Sequence, residues 1–257
     1  MSLVLTQRHG RVELITLNHP EKRNTLTAEL NEALVAAVDA AEADADVGAV
    51  VLTGAGPALC AGAGLAVLGS QPDEAKLRSV YAGFLRVAEC RLPTVAAVNG
   101  PAVGAGMNLA LACDVRVTST LGRFDSRFLK IGLHSGGGHT WMMRNIAGLQ
   151  TAAATLLFGQ VISGPAAVDK GLAWECTEPD TLVDRAVELA QVAAAGPREL
   201  AIALKQTLHG ISACTTHAEA VSYEVGPQLW SLEQPFAAQL ITSLQQAIAQ
   251  RPGTPTA

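Results

Sequence analysis

Apolar positions along the chain change period several times, and each change predicts an element. Residues 3–8 and 12–18 alternate, or run in β-branched residues, on either side of His9-Gly10, which predicts a hairpin. After Thr27, a residue type that caps helix N-termini, Leu30, Leu34, Val38 and Ala41 recur at spacings of four and three. That spacing predicts a helix with one face on a sheet. Residues 49–53 (AVVLT) and 94–98 (TVAAV) are instead continuously apolar, the pattern of strands covered on both faces. The first runs into Gly54-Ala55-Gly56 and the second into Asn99-Gly100. Buried strands that feed glycine-rich loops and then helices predict an α/β fold whose binding site lies at the strand ends. From about residue 150 strand patterns thin out. Residues 151–158, 165–170, 182–195, 197–209, 214–230 and 235–250 read as helices punctuated by Pro and Gly, ahead of the polar tail RPGTPTA.

Composition narrows the class. The chain has 257 residues, 49% apolar and 16% charged, enough to bury a substantial core. Its net charge of −5 comes without a basic block, so nucleic acid is not an expected partner. Five cysteines, Cys60, Cys90, Cys113, Cys176 and Cys214, lack any C-x-x-C spacing and read as reduced thiols. The N-terminal MSLVLTQRHGRVELITL has no long apolar h-region, and no run approaches the roughly 18 apolar residues of a membrane span. The expectation is a cytoplasmic protein with no membrane partner.

Two glycine-rich loops stand out, LTGAGPALCAGAGL at 52–65 and VNGPAVGAGMNL at 98–109. The second opens like a phosphate loop but has no Lys or Ser/Thr to grip a phosphate, which argues against a nucleotide-binding protein. Small residues let a ligand approach the backbone closely, and a helix starting at once leaves its first amides free. Two such N–H groups aimed at one point polarise a carbonyl and hold an enolate-like oxygen. No side chain is needed for that, and no metal site is expected.

These loops carry a resemblance. NHPEKRN (18–24), VLTG to CAGA (51–63), AVNG to CD (97–114) and IS to KGL (162–172) resemble, in order and spacing, the enoyl-CoA hydratase/isomerase family, the crotonase superfamily, over nearly the whole chain. The resemblance implies an α/β crotonase (ClpP-like) spiral of ββα units, residues 1–195, followed by a helical C-terminal trimerisation region, residues 196–257. It implies a homotrimer, or a hexamer built as a dimer of trimers. It implies acyl-CoA thioesters as ligands, with coenzyme A part of the substrate and no separate cofactor. The family's oxyanion hole of two backbone amides maps onto Ala63 and Ala105, with Ala105 in place of a glycine. Lys22 and Arg23 map onto the segment that touches CoA, and Ala61, Ala63 and Leu65 onto the adenine and pantetheine path.

The departures are chemical. The hydratases' two catalytic glutamates align with Asn108 and Phe128, and the acid that usually follows the first loop's Ala61-Gly62-Ala63 is Gly64. Asn cannot take a proton from water, and Phe cannot even orient one. Substitute acid/base groups are sought in Asp125, His134, Ser135 and His139. His134 is the leading candidate because imidazole titrates near neutral pH. The plain alternatives are that His134 and His139 pack or cap around a glycine-rich helix start, that Asp125 is a turn or cap residue, and that Ser135 caps the helix. Residues 141–143 (WMM) read as core or acyl-pocket wall, and residues 66–70 as a further wall of that pocket. Lys205 and Arg251 are weighed as CoA phosphate ligands against the plainer reading of solvated charges. Two functions remain open: an enoyl-CoA hydratase/isomerase-type enzyme with relocated acid/base groups, or a fatty acyl-CoA binding protein that keeps the thioester cradle without the chemistry.

Overall fold

Six strands form the main sheet: β1 (Val4–His9), β2 (Val12–Leu17), β3 (Ala49–Gly54), β4 (Thr94–Val98), β6 (Val115–Ser119) and β9 (Glu175–Thr177), in the order β1-β2-β3-β4-β6-β9. The computed structural model describes residues 2–64 and 73–249. β1 and β2 are the expected hairpin, closing with His9 opposite Val12, and Gly10 makes the turn at φ 61°. All other pairings in this sheet are parallel. A second sheet, β5 (Pro101–Val103), β7 (Arg123–Asp125) and β8 (Ile162–Ser163), is small and mixed.

Strand periodicity explains the core. On one face of the sheet Val12, Leu14, Ala49, Val51, Val95, Ala97 and Val117 meet Leu182, Ala186, Val187, Ala190 and Ala194 of α6 (Leu182–Ala195). The alanine stripe on α6 lets the helix lie close to the sheet. A Cβ on Gly48 would fall 2.8 Å from the Ala194 Cα. The alternate residues Ile15, Val50, Leu52 and Thr94 face the other way, toward Val38 of α1 (Ala28–Ala43), Val87 of α2 (Glu74–Ala88), Cys90 and Cys113. Each fully buried Val or Leu contributes about 1.5–3 kcal/mol relative to exposure. α1 buries the predicted Leu30, Leu34, Val38 and Ala41, and Asn31 besides. Its cap is Thr27, whose hydroxyl accepts from the Leu30 N–H at 3.2 Å, an interaction worth about 1 kcal/mol.

Several elements differ from the sequence reading. α2 went unpredicted: its Val80, Gly83, Phe84 and Val87 are buried, but charged residues dilute the pattern. The helix expected at 151–158 starts twelve residues earlier, as α4 (His139–Leu156), and kinks at Gly148, where φ is 78°. α3 (Ala105–Leu111) and α5 (Gly164–Asp169) complete this part of the chain. Strands β8 and β9 lie within the stretch read as mainly helical.

The chain divides into two compact units after Gly196. The second consists of α7 (Arg198–Gly210), α8 (His217–Leu232) and α9 (Pro235–Ala249). α8 begins with a capping box in which the Thr216 hydroxyl accepts from the Glu219 N–H and the Glu219 carboxylate accepts from the Thr216 N–H. Val221, Leu229, Leu232, Leu240, Leu244 and Ile248 of this unit are exposed. Lys205 is buried on α7, not solvated. No helix among the described residues is long and apolar enough to cross a membrane.

Candidate active site

The two glycine-rich loops are laced together by backbone. Val103 N–H donates to Cys60 O at 3.0 Å, and Cys60 N–H donates to Pro101 O at 3.2 Å. Gly106 makes this possible, since a Cβ there would sit 2.2 Å from the Cys60 carbonyl oxygen. The first loop is held from its other side by the NHPEKRN segment. Asn24, fully buried at φ 54°, donates from Nδ2 to Ala55 O (3.0 Å) and Ala58 O (2.9 Å), while its Oδ1 accepts from the His19 N–H (2.8 Å). Ala61 N–H donates to Arg23 O, and Leu26 N–H to Gly62 O.

What remains unspent is informative. Among the described residues neither the Ala63 N–H nor the Ala105 N–H has an acceptor; Ala105 is the first residue of α3, where an amide has no partner within the helix. The corners that carry them lie side by side. Gly62 stands at φ 95°, and a Cβ on it would lie 2.6 Å from Val103 O and 3.7 Å from Ala105 N. Ala63 and Ala105 both line one cavity of about 880 Å³, whose wall also includes Ala61, Leu77, Val80, Tyr81, Asn108 and Phe128.

Behind this wall lies a buried polar chain. Asn108 Nδ2 donates to Gly136 O at 3.0 Å, Asn108 Oδ1 lies 2.6 Å from His139 Nδ1, and His139 Nε2 lies 2.8 Å from Ser126 Oγ. Asn108, His139 and Ser126 are each 1% exposed or less. Gly136 O can only accept, so the amide nitrogen of Asn108 must face it, and Oδ1 therefore faces the imidazole. An amide oxygen can only accept in turn, so His139 carries its hydrogen on Nδ1, and Nε2 accepts the Ser126 hydroxyl. Burial pulls His139 down from 6.5 to about 4, because charging the ring would strip its solvation. The Phe128 ring meets the imidazole edge-on at 5.0 Å.

The other sequence candidates fall out as follows. His134 is exposed and lines the cavity, with Nδ1 2.7 Å from Ser135 O. A carbonyl only accepts, so Nδ1 bears a hydrogen, and in the neutral ring the lone pair is on Nε2. Asp125 is buried at the end of β7 and does not line the cavity; its Oδ2 accepts from Arg127 Nε (2.9 Å) and Nη2 (2.6 Å). Ser135 does not cap α4, whose N-cap is Gly138; its hydroxyl pairs with the Thr140 hydroxyl at 2.6 Å. Trp141 is 66% exposed and Met143 fully buried, and neither lines the cavity. Ala61 and Ala63 are on the wall; Lys22 and Arg23 are exposed and outside it. Leu65, residues 66–70 and Arg251 lie outside the described residues. None of the five cysteines forms a disulfide, and burial pushes the Cys60 thiol up to about 12. Among the described residues no cluster of His, Cys, Asp and Glu has the makings of a metal site.

Among the cavity residues that the sequence reading did not single out are Ser126 and Tyr81. The Tyr81 hydroxyl rests against Gly136, where a Cβ would approach it to 2.3 Å, and burial raises its pKa. Its signal was present: Leu77, Val80, Tyr81 and Phe84 are spaced as one face of a helix. Ser126 had no signal, because its imidazole partner His139 stands 13 residues away in the sequence.

Known proteins resemble this chain in sequence and in fold. The family model for enoyl-CoA hydratase/isomerase matches residues 7–228. A protein of Mycobacterium tuberculosis named probable enoyl-CoA hydratase EchA14 is 48% identical over 246 residues, covering 92% of this chain and 95% of that one. The 1,2-epoxyphenylacetyl-CoA isomerase of Escherichia coli is 32% identical over 204 residues, 77% of this chain and 78% of that one. The solved structure of an enoyl-CoA hydratase from Polaromonas sp. JS666 superposes with a TM-score of 0.88 at 26% identity, covering 95% of this chain and 97% of that one. With a family match over most of its length, the expected fold in place and relatives of this closeness, the chain belongs to the enoyl-CoA hydratase/isomerase family, the crotonase superfamily.

Proposed function

We propose that this protein binds acyl-CoA thioesters and polarises the thioester carbonyl between the Ala63 and Ala105 amides. The observation that carries the reading is two N–H groups, without acceptors among the described residues, on adjacent loops that line one cavity large enough for an acyl group. Such donors strengthen their hold as negative charge grows on the oxygen, so they favour an enolate or a tetrahedral oxyanion over the ground state. The Cα proton of the bound thioester becomes more acidic as a result. The base proposed to receive it is His134 Nε2, on the same cavity wall, the isomerase-type half of the reading. The Tyr81 hydroxyl, kept protonated by partial burial, is a donor on the same wall.

The hydratase-type half has weaker support. Asn108 has both ends of its amide committed, and Phe128 presents carbon to the cavity. That observation favours a second reading, an acyl-CoA binding protein with the cradle and no hydration chemistry. Coenzyme A then enters as part of the ligand, and exposed Lys22 and Arg23, on the segment whose Arg23 O holds the first loop, are proposed to meet its charged portion. Self-association as a trimer or hexamer is supported by the exposed apolar residues of α8 and α9. A cytoplasmic setting agrees with five thiols that form no disulfide.

Calorimetry with hexanoyl-CoA and palmitoyl-CoA tests the binding. Saturable heat is expected with at least one, and markedly weaker binding of free CoA, which has no carbonyl for the two amides. No binding of either ester would contradict the reading.

A further inference from the structure

The polar chain behind the cavity wall does more than satisfy buried groups. Two of its three members, Ser126 and Asn108, belong to the wall itself, and His139 sits between them. Its polarity is fixed throughout: Gly136 O accepts from Asn108, Asn108 accepts from His139, and His139 accepts from the Ser126 hydroxyl. A hydroxyl whose proton is already shared with an imidazole, itself oriented by a third group, is the arrangement that activates a nucleophile. Burial leaves the imidazole uncharged at neutral pH, the form that takes up a proton.

Ser126 is also next to the oxyanion corner. β5 and β7 run parallel with Val103 beside Asp125, and Gly104 N–H donates to Asp125 O at 2.9 Å. The residues that follow, Gly104 and Ser126, are therefore neighbours, and Ala105 with its free amide comes one residue later. A Cβ on Gly104 would stand 3.9 Å from Ser126 O. Ser126 is presented by a tight turn: Arg127 has φ 53°, and Phe128 N–H donates back to Ser126 O at 2.7 Å. A non-glycine residue at positive φ costs on the order of 1 kcal/mol or more, so it persists where the surroundings enforce it. Here the enforcing contact is the Asp125 carboxylate gripping the Arg127 guanidinium across Ser126. That gives Asp125 a positioning role.

We propose that Ser126, with His139 and Asn108, is a nucleophilic triad that hydrolyses the bound acyl-CoA thioester to a carboxylic acid and free coenzyme A. This rests on the thioester reading above. Ser126 Oγ attacks the carbonyl carbon while its proton passes to His139 Nε2, and the oxyanion is held by Ala63 and Ala105. The carbon–sulfur bond breaks, and the sulfur leaves as thiol with the proton from His139. Water then gives a proton to His139 Nε2 and adds its hydroxide to the Ser126 ester. Collapse releases the acid and returns the proton to Ser126 Oγ. No oxidation or reduction occurs. The step suits a thioester, because a thiol near pKa 8.5 leaves far more readily than an alkoxide.

Hexanoyl-CoA is the test ligand, because a saturated chain offers nothing to hydrate. Acid quench and intact-mass measurement of the wild-type protein should show one added hexanoyl group, mapped by peptide analysis to Ser126, with thiol released in parallel. Ser126→Ala should lose the adduct and slow thiol release by about 10²-fold or more, and Ser126→Cys should keep the adduct as a thioester. Binding of a hexanoyl-CoA analogue with CH2 in place of sulfur is measured alongside. If the analogue binds but wild type gives neither adduct nor thiol, or Ser126→Ala releases thiol at the wild-type rate, the triad is refuted and the cradle stands. If the analogue does not bind, both fail.

Discussion

Crotonyl-CoA mixed with the purified Ser126→Ala protein, which cannot cleave the thioester, keeps its enone absorbance: water does not add across the double bond at an enzymatic rate. Hydration needs a base for the water and an acid for the Cα, and each positioned group typically contributes about 10²–10⁴-fold. Neither is available where the family resemblance places them. Asn108 sits on the cavity, but its amide nitrogen is held by Gly136 O and its oxygen by His139, so it has no free acceptor of adequate basicity. Phe128 is aromatic and packs its ring on the same imidazole. His139 is near, but its Nε2 is taken by the Ser126 hydroxyl and its Nδ1 by Asn108. With both groups missing, hydration should run about 10⁴-fold or more below the ordinary range of about 1–10³ per second. Loss of enone absorbance at an ordinary enzymatic rate would show that His134 or Tyr81 replaces both groups, and would restore the hydratase reading.

Acidification should destabilise the protein through His139, and the sign follows from its burial. The folded state holds this imidazole neutral down to about 4, whereas the unfolded chain protonates it near 6.5. Between those values the unfolded state binds more protons, so stability falls as pH drops through that window and levels off below it. At about 1.4 kcal/mol per pH unit, the contribution over the window is on the order of 3 kcal/mol. Burial is the whole cause of the shift; no charged group opposes it, and the ring's neighbours in the polar chain and in Phe128 are neutral. Urea unfolding of wild type and His139→Gln at fixed protein concentration, from pH 7.5 to 4, separates this from the carboxylates common to both. Wild type should lose on the order of 3 kcal/mol more than the variant. Parallel curves would mean that the ring is not held neutral and buried, and the polarity assigned to the Asn108–His139–Ser126 chain would fall with it.

How far the sequence carried this account depended on element length and on distance along the chain. β3 and β4 were legible because strands covered on both faces must be apolar at every position, as Ala49–Gly54 and Thr94–Val98 are. α1 was legible through its cap and its single buried stripe. β5, β7, β8 and β9 are two or three residues long, too short for a period to appear. α2 hid because Lys76, Arg78 and Arg86 share the helix with its apolar face, and α4 because Gly148 interrupts its rhythm at a positive φ. The glycine corners were readable as a pair, since a backbone site announces itself through small residues at strand ends. The polar chain was not. His139 could be weighed only alone, as a packing or capping residue, and its partners became visible when the fold brought β7, α3 and α4 together.

The carbonyl stretch of bound hexanoyl-CoA, isolated by 13C labelling of the thioester carbon in a difference infrared spectrum, tests the clamp on the acyl oxygen most directly. The Ser126→Ala protein is the sample, so that the ester persists. Two amide donors on one oxygen should move the band to lower frequency than in free ligand. A band at the solution position, from ligand shown by calorimetry to be saturating, would mean that the Ala63 and Ala105 amides do not meet the carbonyl.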